Sequence, residues 1–357
     1  MRGLQIGNKR AEVAVIQGGM GVGVSLSGLA GAVAAEGGVG IISTAQIGYD
    51  EPDFATDHQA ANIRAIGKHI AAAKARARGG LVGVNVMRAL KDYEAHVKAA
   101  VAAGADVVIS GAGLPLELPE LVAGSDTKFA PIVSSEKAIN LLFRKWDKTY
   151  NTTADFVVIE GPQAGGHLGF SADQVATFEN GSAAFDDEIV KIIARVRQQE
   201  MAYGRKIPVI VAGGIFDGKD VARVMALGAD GVQAATRFVA TEECDAAPAY
   251  KAAYVAAGKE DVRIIKSPVG MPGRALHNAF LDKVGRGECR VSRCFGCLAK
   301  CDPKSIPYCI TEALINAVKG DVDNGLIFAG SQVERITKIS TVKAVMDDLK
   351  SGKSGME

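Results

Sequence analysis

The chain has 357 residues, with 41 Lys and Arg against 40 Asp and Glu, and a formal net charge of +1. That balance leaves no electrostatic footprint for nucleic acid, and no lysine- or arginine-rich run supplies one locally. A hydrophobic share of 48% supports a sizeable core, and 42 glycines against 11 prolines indicate many tight turns rather than disorder. No apolar stretch reaches the roughly 18 residues of a membrane span, and the opening Met1-Arg2-Gly3-Leu4-Gln5-Ile6-Gly7 has no signal-peptide core. A cytoplasmic protein with no membrane partner is the expectation.

In chain order, Val13–Gln17 reads as a buried strand followed by Gly18-Gly19-Met20-Gly21-Val22-Gly23. A helix capped by Ser25 or Ser27 runs to Glu36, and Val39–Ser43 is the next strand. Asp53 to Arg78 is a long helical region, with Pro52 placed where a helix can begin. The strand Leu81–Val86, the helix Asp92–Ala103 and the strand Asp106–Ser110 follow. A short helix over Leu116–Val122, the strand Ala130–Val133 and the helix Glu136–Lys145 continue the alternation. Asp155–Ile159 is then a strand, Asp186–Tyr203 a helix, Pro208–Ala212 a strand, Gly218–Leu227 a helix and Gly231–Ala235 a strand.

About eight β/α units ending near residue 256 predict a TIM (β/α)8 barrel, and strands apolar throughout suit a parallel sheet covered on both faces. A doubly wound sheet is the rival, but Gly19-Met20-Gly21-Val22-Gly23 lacks the G-x-G-x-x-G spacing of a dinucleotide fold. Residues 257–357 lose the alternation and predict a mainly helical, Cys-rich appendage packed on the barrel, with helices near Ala275–Gly285, Ile306–Val318 and Thr341–Leu349. Gly320–Gly325 reads as a plain turn.

Strand ends at the carboxyl face of a barrel are where ligands bind. They offer Gly19 and Met20 after the first strand, Asn85 at the third and Ser110 at the fourth. After the sixth comes Glu160-Gly161-Pro162-Gln163-Ala164-Gly165-Gly166-His167, in which glycines permit close backbone approach and a histidine can move protons near neutral pH. The loops after the seventh and eighth strands carry Gly213-Gly214 and Ala235-Thr236-Arg237, whose N–H groups and hydroxyl suit a phosphate. Arg237 could add charge there or pair with a carboxylate outside the site. His58, His69 and His96 lie in helical regions and are read as exposed, and His277 shows no partner. The mixture is poor in carboxylates and holds one histidine, which argues against a metal hydrolase and for a planar phosphorylated cofactor.

Five of the six cysteines lie between Cys289 and Cys309, too localised for a disulfide framework. Cys289, Cys294, Cys297, Cys301 and Cys309 as a whole match no standard ferredoxin or zinc-ribbon spacing. Cys294, Cys297, Cys301 and Cys309 are nevertheless candidate metal or iron–sulfur ligands, with packing or redox-responsive thiols as the alternative.

Ile16–Gly21, Gly83–Met87, Glu160–Gly169, Val211–Ile215 and Val232–Phe238 together resemble the motifs of the nitronate monooxygenase (2-nitropropane dioxygenase) superfamily, which includes FMN-dependent enoyl-[acyl-carrier-protein] reductases. The likeness extends into the tail through Gly320-Asp321-Val322-Asp323. It implies a barrel binding FMN, with Gly213, Gly214, Ala235 and Thr236 at the phosphate. Gly19, Met20, Asn85, Glu160, Gln163, Gly165 and Gly166 would line the ring and ribityl chain, and His167 would act on substrate protons. Three departures stand out: Ala235 where glycine is usual, Pro162-Gln163 before the glycines, and a segment Phe143–Thr153, containing Trp146, that looks inserted. The resemblance implies oxidation of alkyl nitronates to carbonyl compounds and nitrite. The alternatives are an NAD(P)H-dependent reductase of enoyl thioesters or quinones, and a non-catalytic FMN-binding redox sensor. A homodimer is an assembly the reading leaves open.

Overall fold

The computed structural model describes residues 3–178 and 185–351. A short antiparallel hairpin comes first (β1, Leu4–Ile6; β2, Lys9–Ala11). The strands β3 (Val15–Gln17), β4 (Val39–Ser43), β5 (Leu81–Met87), β6 (Val107–Gly111), β7 (Lys128–Val133) and β8 (Val157–Glu160) follow. After the two-residue strand β9 (Gly166–His167) come β10 (Val209–Ala212) and β11 (Gly231–Ala234). The eight strands β3–β8, β10 and β11 pair in parallel and close into a barrel, as expected. Registers such as Ser43 beside Asn85 and Ala212 beside Glu160 bring the carboxyl ends to one face.

Apolar residues on both sides of each strand are what allow this closure. Ile16, Ile41, Val107, Ile109, Val158 and Ile210 fill the inside, while Val15, Ile42, Val84, Val108, Val157 and Val209 pack outward under the helices. Leu4, Ile6 and Ala11 of the hairpin join the inner core, so the chain's own start closes the amino-terminal end of the barrel. Three-residue strands carry little periodic signal, so the hairpin is not legible in the sequence.

The surrounding helices are α1 (Ser27–Ala35), α2 (His58–Arg76), α3 (Tyr93–Ala102), α4 (Leu118–Val122), α5 (Glu136–Tyr150), α6 (Ala172–Phe178), α7 (Asp186–Tyr203) and α8 (Gly218–Ala226). The single turn α9 (Thr236–Val239) and α10 (Pro248–Ala256) follow β11. Neither Ser25 nor Ser27 caps α1. Its first N–H groups go to Asp245, whose carboxylate accepts from Leu26 at 2.8 Å, Gly28 at 2.9 Å and Leu29 at 3.1 Å. Helix α2 begins after Asp57, which accepts from Ala60 N at 3.0 Å, so Pro52 lies in the preceding turns and not at a helix start. Helix α5 runs five residues beyond the expected Lys145, to Tyr150, because Leu142, Phe143 and Trp146 continue its buried stripe. The segment that looked inserted is therefore the end of α5 and the turn into β8. Trp146 is fully buried there, meets Phe129 edge-on at 5.5 Å and donates to Leu116 O at 3.0 Å.

Beyond residue 256, helices α11 (Ala279–Gly285), α12 (Ile310–Val318) and α13 (Val342–Ser351) are present. Two strands, β12 (Val262–Lys266) and β13 (Pro272–Leu276), accompany them, and the expected helix start at Ala275 is in fact the end of β13. They form an antiparallel sheet with β9, pairing Gly273 with His167 and Arg274 with Gly166. Helix α13 packs against α1 and α8, flanking the barrel where a β/α unit would place a helix. No helix among the described residues is long and apolar enough to cross a membrane.

Candidate functional site

One cavity of ≈ 230 Å³ opens at the carboxyl face of the barrel. Gly19, Met20, Asn85, Glu160, Gln163, Gly165, Gly166, His167, Gly213, Gly214, Ala235 and Thr236 all line it. Twelve of the residues singled out at the strand ends thus meet in one place. Ser110 does not: its hydroxyl is buried between Tyr93 OH and Val86 O at 3.0 Å each.

The two loops proposed for a phosphate have a backbone reason for their glycines. Gly213 and Gly214 sit at φ +86° and +79°, in the left-handed region, and a Cβ on Gly214 would lie 2.0 Å from Gln163 Oε1. Thr236 Oγ1 accepts from Gly330 N at 3.1 Å, which leaves the hydroxyl proton free to donate. Arg237 turns away from the cavity to Asp348 and stacks at 4.9 Å on Phe216, the second of the two roles its position allowed. Among the described residues no lysine or arginine lines the cavity, so an anion there would be held by N–H and O–H donors.

The loop after β8 is held from the tail. Arg274, 3% exposed, donates from one guanidinium nitrogen to the carbonyls of Pro162 and Ala164, each at 2.6 Å. A Cβ on Gly165 would come within 2.6–2.8 Å of the backbone of Ala329 and Gly330. Its glycine is required by the returning tail, a reason the local sequence does not contain. Phe328, Ala329, Gly330, Leu314, Tyr250 and Tyr254 complete the wall. None of these was foreseen, because apolar residues distant in sequence carry no local sign of facing a ligand.

His167 stands at the mouth with its ring edge-on to Phe328 at 5.0 Å. Its Nε2 lies 2.7 Å from Ser267 Oγ, which leaves Nδ1 as the nitrogen available to a ligand. Burial lowers its pKa to about 4. Burial acts oppositely on Glu160 and raises its carboxyl to about 7. Between those values the carboxyl keeps its proton and the imidazole has none, so neither side chain is charged. Two buried amide oxygens in the same wall, Gln163 Oε1 and Gln233 Oε1, have no hydrogen-bond donor from the protein. A ligand carrying hydroxyl or ring N–H donors would satisfy both.

The remaining histidines correct the sequence reading. His96 is buried, with Nδ1 3.1 Å from Thr44 Oγ1, and burial pushes its pKa down to about 4. His69 is partly buried beside Ser27 Oγ at 3.1 Å, and His277 has a partner after all in Asp282 at 2.9 Å. The turn at Gly320–Gly325 is held by Asn278, whose amide donates to the carbonyls of Val322 and Gly325. Cys294, Cys297, Cys301 and Cys309 line a second, smaller cavity. Among the described residues no three His, Cys, Asp or Glu side chains already surround a single metal-ion position.

Compared with known proteins, residues 5–352 match the family model described as nitronate monooxygenase. Among curated relatives, a probable nitronate monooxygenase of Staphylococcus saprophyticus is 32% identical over 130 residues, 36% of this chain and 34% of that protein. A putative monooxygenase, Rv1533, of Mycobacterium tuberculosis is 32% identical over 134 residues, 38% of this chain and 30% of that protein. The alignment thus spans about a third of the length of these curated relatives. Among solved structures, FabK from Thermotoga maritima superposes with a TM-score of 0.71 at 28% identity, covering 96% of this chain and 93% of that one. A nitroalkane oxidase from Streptomyces ansochromogenes superposes with a TM-score of 0.71 at 21% identity and 96% coverage of each chain, a likeness of fold.

Proposed function

The chain belongs to the nitronate monooxygenase family, an oxidoreductase family, and from that premise we propose an FMN-dependent enzyme that oxidises alkyl nitronates to carbonyl compounds and nitrite with dioxygen. The observation that carries the cofactor is the cavity wall itself. Two unpartnered amide oxygens, Gln163 Oε1 and Gln233 Oε1, meet the hydroxyls of a ribityl chain or a ring N–H. Gly213, Gly214, Ala235 and Thr236 hold the phosphate with backbone N–H groups and one hydroxyl, and Gly19, Met20, Asn85, Glu160, Gly165 and Gly166 line the ring and ribityl chain. When bound there, FMN supplies the two-electron redox chemistry that the side chains lack.

His167 supplies the proton chemistry. Ser267 occupies Nε2, so Nδ1 takes the proton from the carbon of a neutral nitroalkane. Burial keeps the ring in the neutral, proton-accepting form but makes it a weaker base, so the proton transfer depends on the anion formed beside it. The imidazolium so formed faces the nitronate anion, and opposite charges in a site with no other cation stabilise each other. Ser267 is a positioning residue in this scheme, supplied by the tail.

His167→Asn tests the base. Turnover of a neutral nitroalkane should fall by about 100-fold or more, while turnover of the preformed nitronate falls less and FMN content stays unchanged. Unaltered turnover of the neutral substrate with FMN still bound removes His167 from the proton step.

The 28% identity to FabK over nearly the whole chain favours one second reading, an NAD(P)H-dependent reductase of an enoyl thioester or a quinone. NADH and NADPH oxidation with crotonyl thioester, beside an aerobic nitronate assay, separates the two. A redox-sensing FMN protein would show flavin reduction by none of these. A small-molecule partner, a cytoplasmic location and a division into a barrel of residues 1–256 and an appendage of residues 257–357 belong to the same proposal.

A further inference from the structure

Residues 286–309 form a long segment with no helix or strand, yet its course is specified. Lys91 N donates to Cys297 O at 3.1 Å, Ala299 N donates to Ala89 O at 3.0 Å, and Leu90 pairs with Leu298. Phe295 stacks on Phe54 at 5.6 Å. Long stretches without secondary structure inside a compact protein are usually either functional or linkers, and the specified course of this one is not that of a linker. This one places four thiols, from Cys294, Cys297, Cys301 and Cys309, around a single cavity of ≈ 30 Å³ otherwise walled by apolar residues such as Phe295, Leu298 and Ile310. All four are free cysteines.

We propose that Cys294, Cys297, Cys301 and Cys309 bind an iron–sulfur cluster of the [4Fe–4S] class. Four thiolates are the ligand set such a cluster takes. Tetrahedral zinc with Zn–S near 2.3 Å would require sulfurs about 3.8 Å apart around one point. Among the described residues no such single-ion arrangement is present, and the four thiols are the whole side-chain donor set of the cavity, which no histidine or carboxylate lines.

The structure also chooses between two readings of the cysteine run. Cys289, Cys294 and Cys297 carry the C-x4-C-x2-C spacing of plant-type two-iron proteins. Cys289 does not line the cavity, whereas Cys301 does. The ligands are therefore a close trio, Cys294, Cys297 and Cys301, and a fourth, Cys309, from farther along the chain, a division that bacterial four-iron clusters share although their trio is spaced C-x2-C-x2-C and this one C-x2-C-x3-C.

Hydrogen-bond donors already point at these sulfurs. Gly296 N donates to Cys294 Sγ at 3.3 Å, and Cys309 sits at the N-cap of α12. Such donors favour thiolates and tune clusters. Leu314, which lines the larger cavity, follows Cys309 by five residues, an axial rise of about 7.5 Å along α12. The cluster site and the barrel mouth are neighbours joined by one helix.

The test is iron and acid-labile sulfide analysis of the full chain purified without oxygen, with electron paramagnetic resonance after dithionite reduction. About four iron and four sulfide per chain, with a reduced-state signal, are expected. Zinc in their place, two irons per chain, or no iron after anaerobic reconstitution overturns the proposal. Cys297→Ser and Cys301→Ser should lose most of the iron, and Cys289→Ser should keep it. Iron lost on Cys289→Ser but retained on Cys301→Ser would overturn the ligand assignment. FMN, assayed in the same samples, reports folding: an iron-free variant that retains FMN has lost only the cluster. Wild-type protein with iron but no FMN would overturn the cofactor reading and leave this one standing.

Discussion

The barrel mouth and the tail that closes over it build one cavity from different kinds of information. Gly19, Asn85, Glu160, Gly213 and Thr236 stand at or just after the ends of buried strands, where the β/α architecture delivers them to a common face. Arg274, Ser267, Phe328 and Gly330 come from a tail segment whose antiparallel sheet takes its third strand from the loop carrying His167. The lesson is that the barrel provides the glycine-rich floor of the cavity, while the tail sets the posture of His167. Damage to either should silence the enzyme, by different routes.

The largest effect is expected from Arg274→Met. Removing the guanidinium orphans two buried carbonyls and frees the loop of Gly165–His167. Stability should fall by about 3 kcal/mol, measured by urea unfolding, and FMN retention should fall with it. A variant that keeps both FMN and activity would show that the barrel holds this loop unaided.

Asp245→Ala probes the barrel side. It removes the carboxylate that accepts three N–H groups at the start of α1, and the expected loss is about 2 kcal/mol. FMN affinity should hardly change, since Asp245 does not line the cavity. A large loss of FMN binding would mean that the helix and the mouth are coupled.

The smallest effect concerns pH. The Glu160 carboxyl is raised from 4.5 to about 7 in the folded chain, so the folded state binds the extra proton between those values. The cofactor-free protein should therefore lose stability as pH rises from about 4.5 to 7. Glu160→Gln should remove that dependence and be the more stable protein at pH 8 by about 1 kcal/mol, a modest figure because the carboxyl is only partly covered and lines the open cavity. His167 works in the opposite sense: lowered to about 4, it costs stability as pH falls from about 6.5 towards 4. Unfolding curves at pH 5 and pH 8 on Glu160→Gln and His167→Asn separate the two contributions, and equal pH slopes in both variants would contradict the burial argument.

The sequence by itself determined the eight buried strands, their order and most of the strand-end residues that line the cavity, although Ser110, expected among them, does not. Those features are local: a β-branched apolar run ending in glycine states its strand and its turn within a few residues. Helix α1 shows where locality fails, because the cap it needs is supplied by Asp245 rather than by the adjacent serines. His96 shows it again: a polar residue on a helix reads as exposed until the neighbouring Thr44 buries it. Tertiary structure alone decided that β12 and β13 add a sheet to β9, that Arg274 clamps the loop carrying His167, and that Gly165 must be glycine because Ala329 passes against it. It also decided which four of five neighbouring cysteines face one cavity. Contacts between segments about a hundred or more residues apart leave no period and no spacing in the chain, so only the folded backbone reveals them.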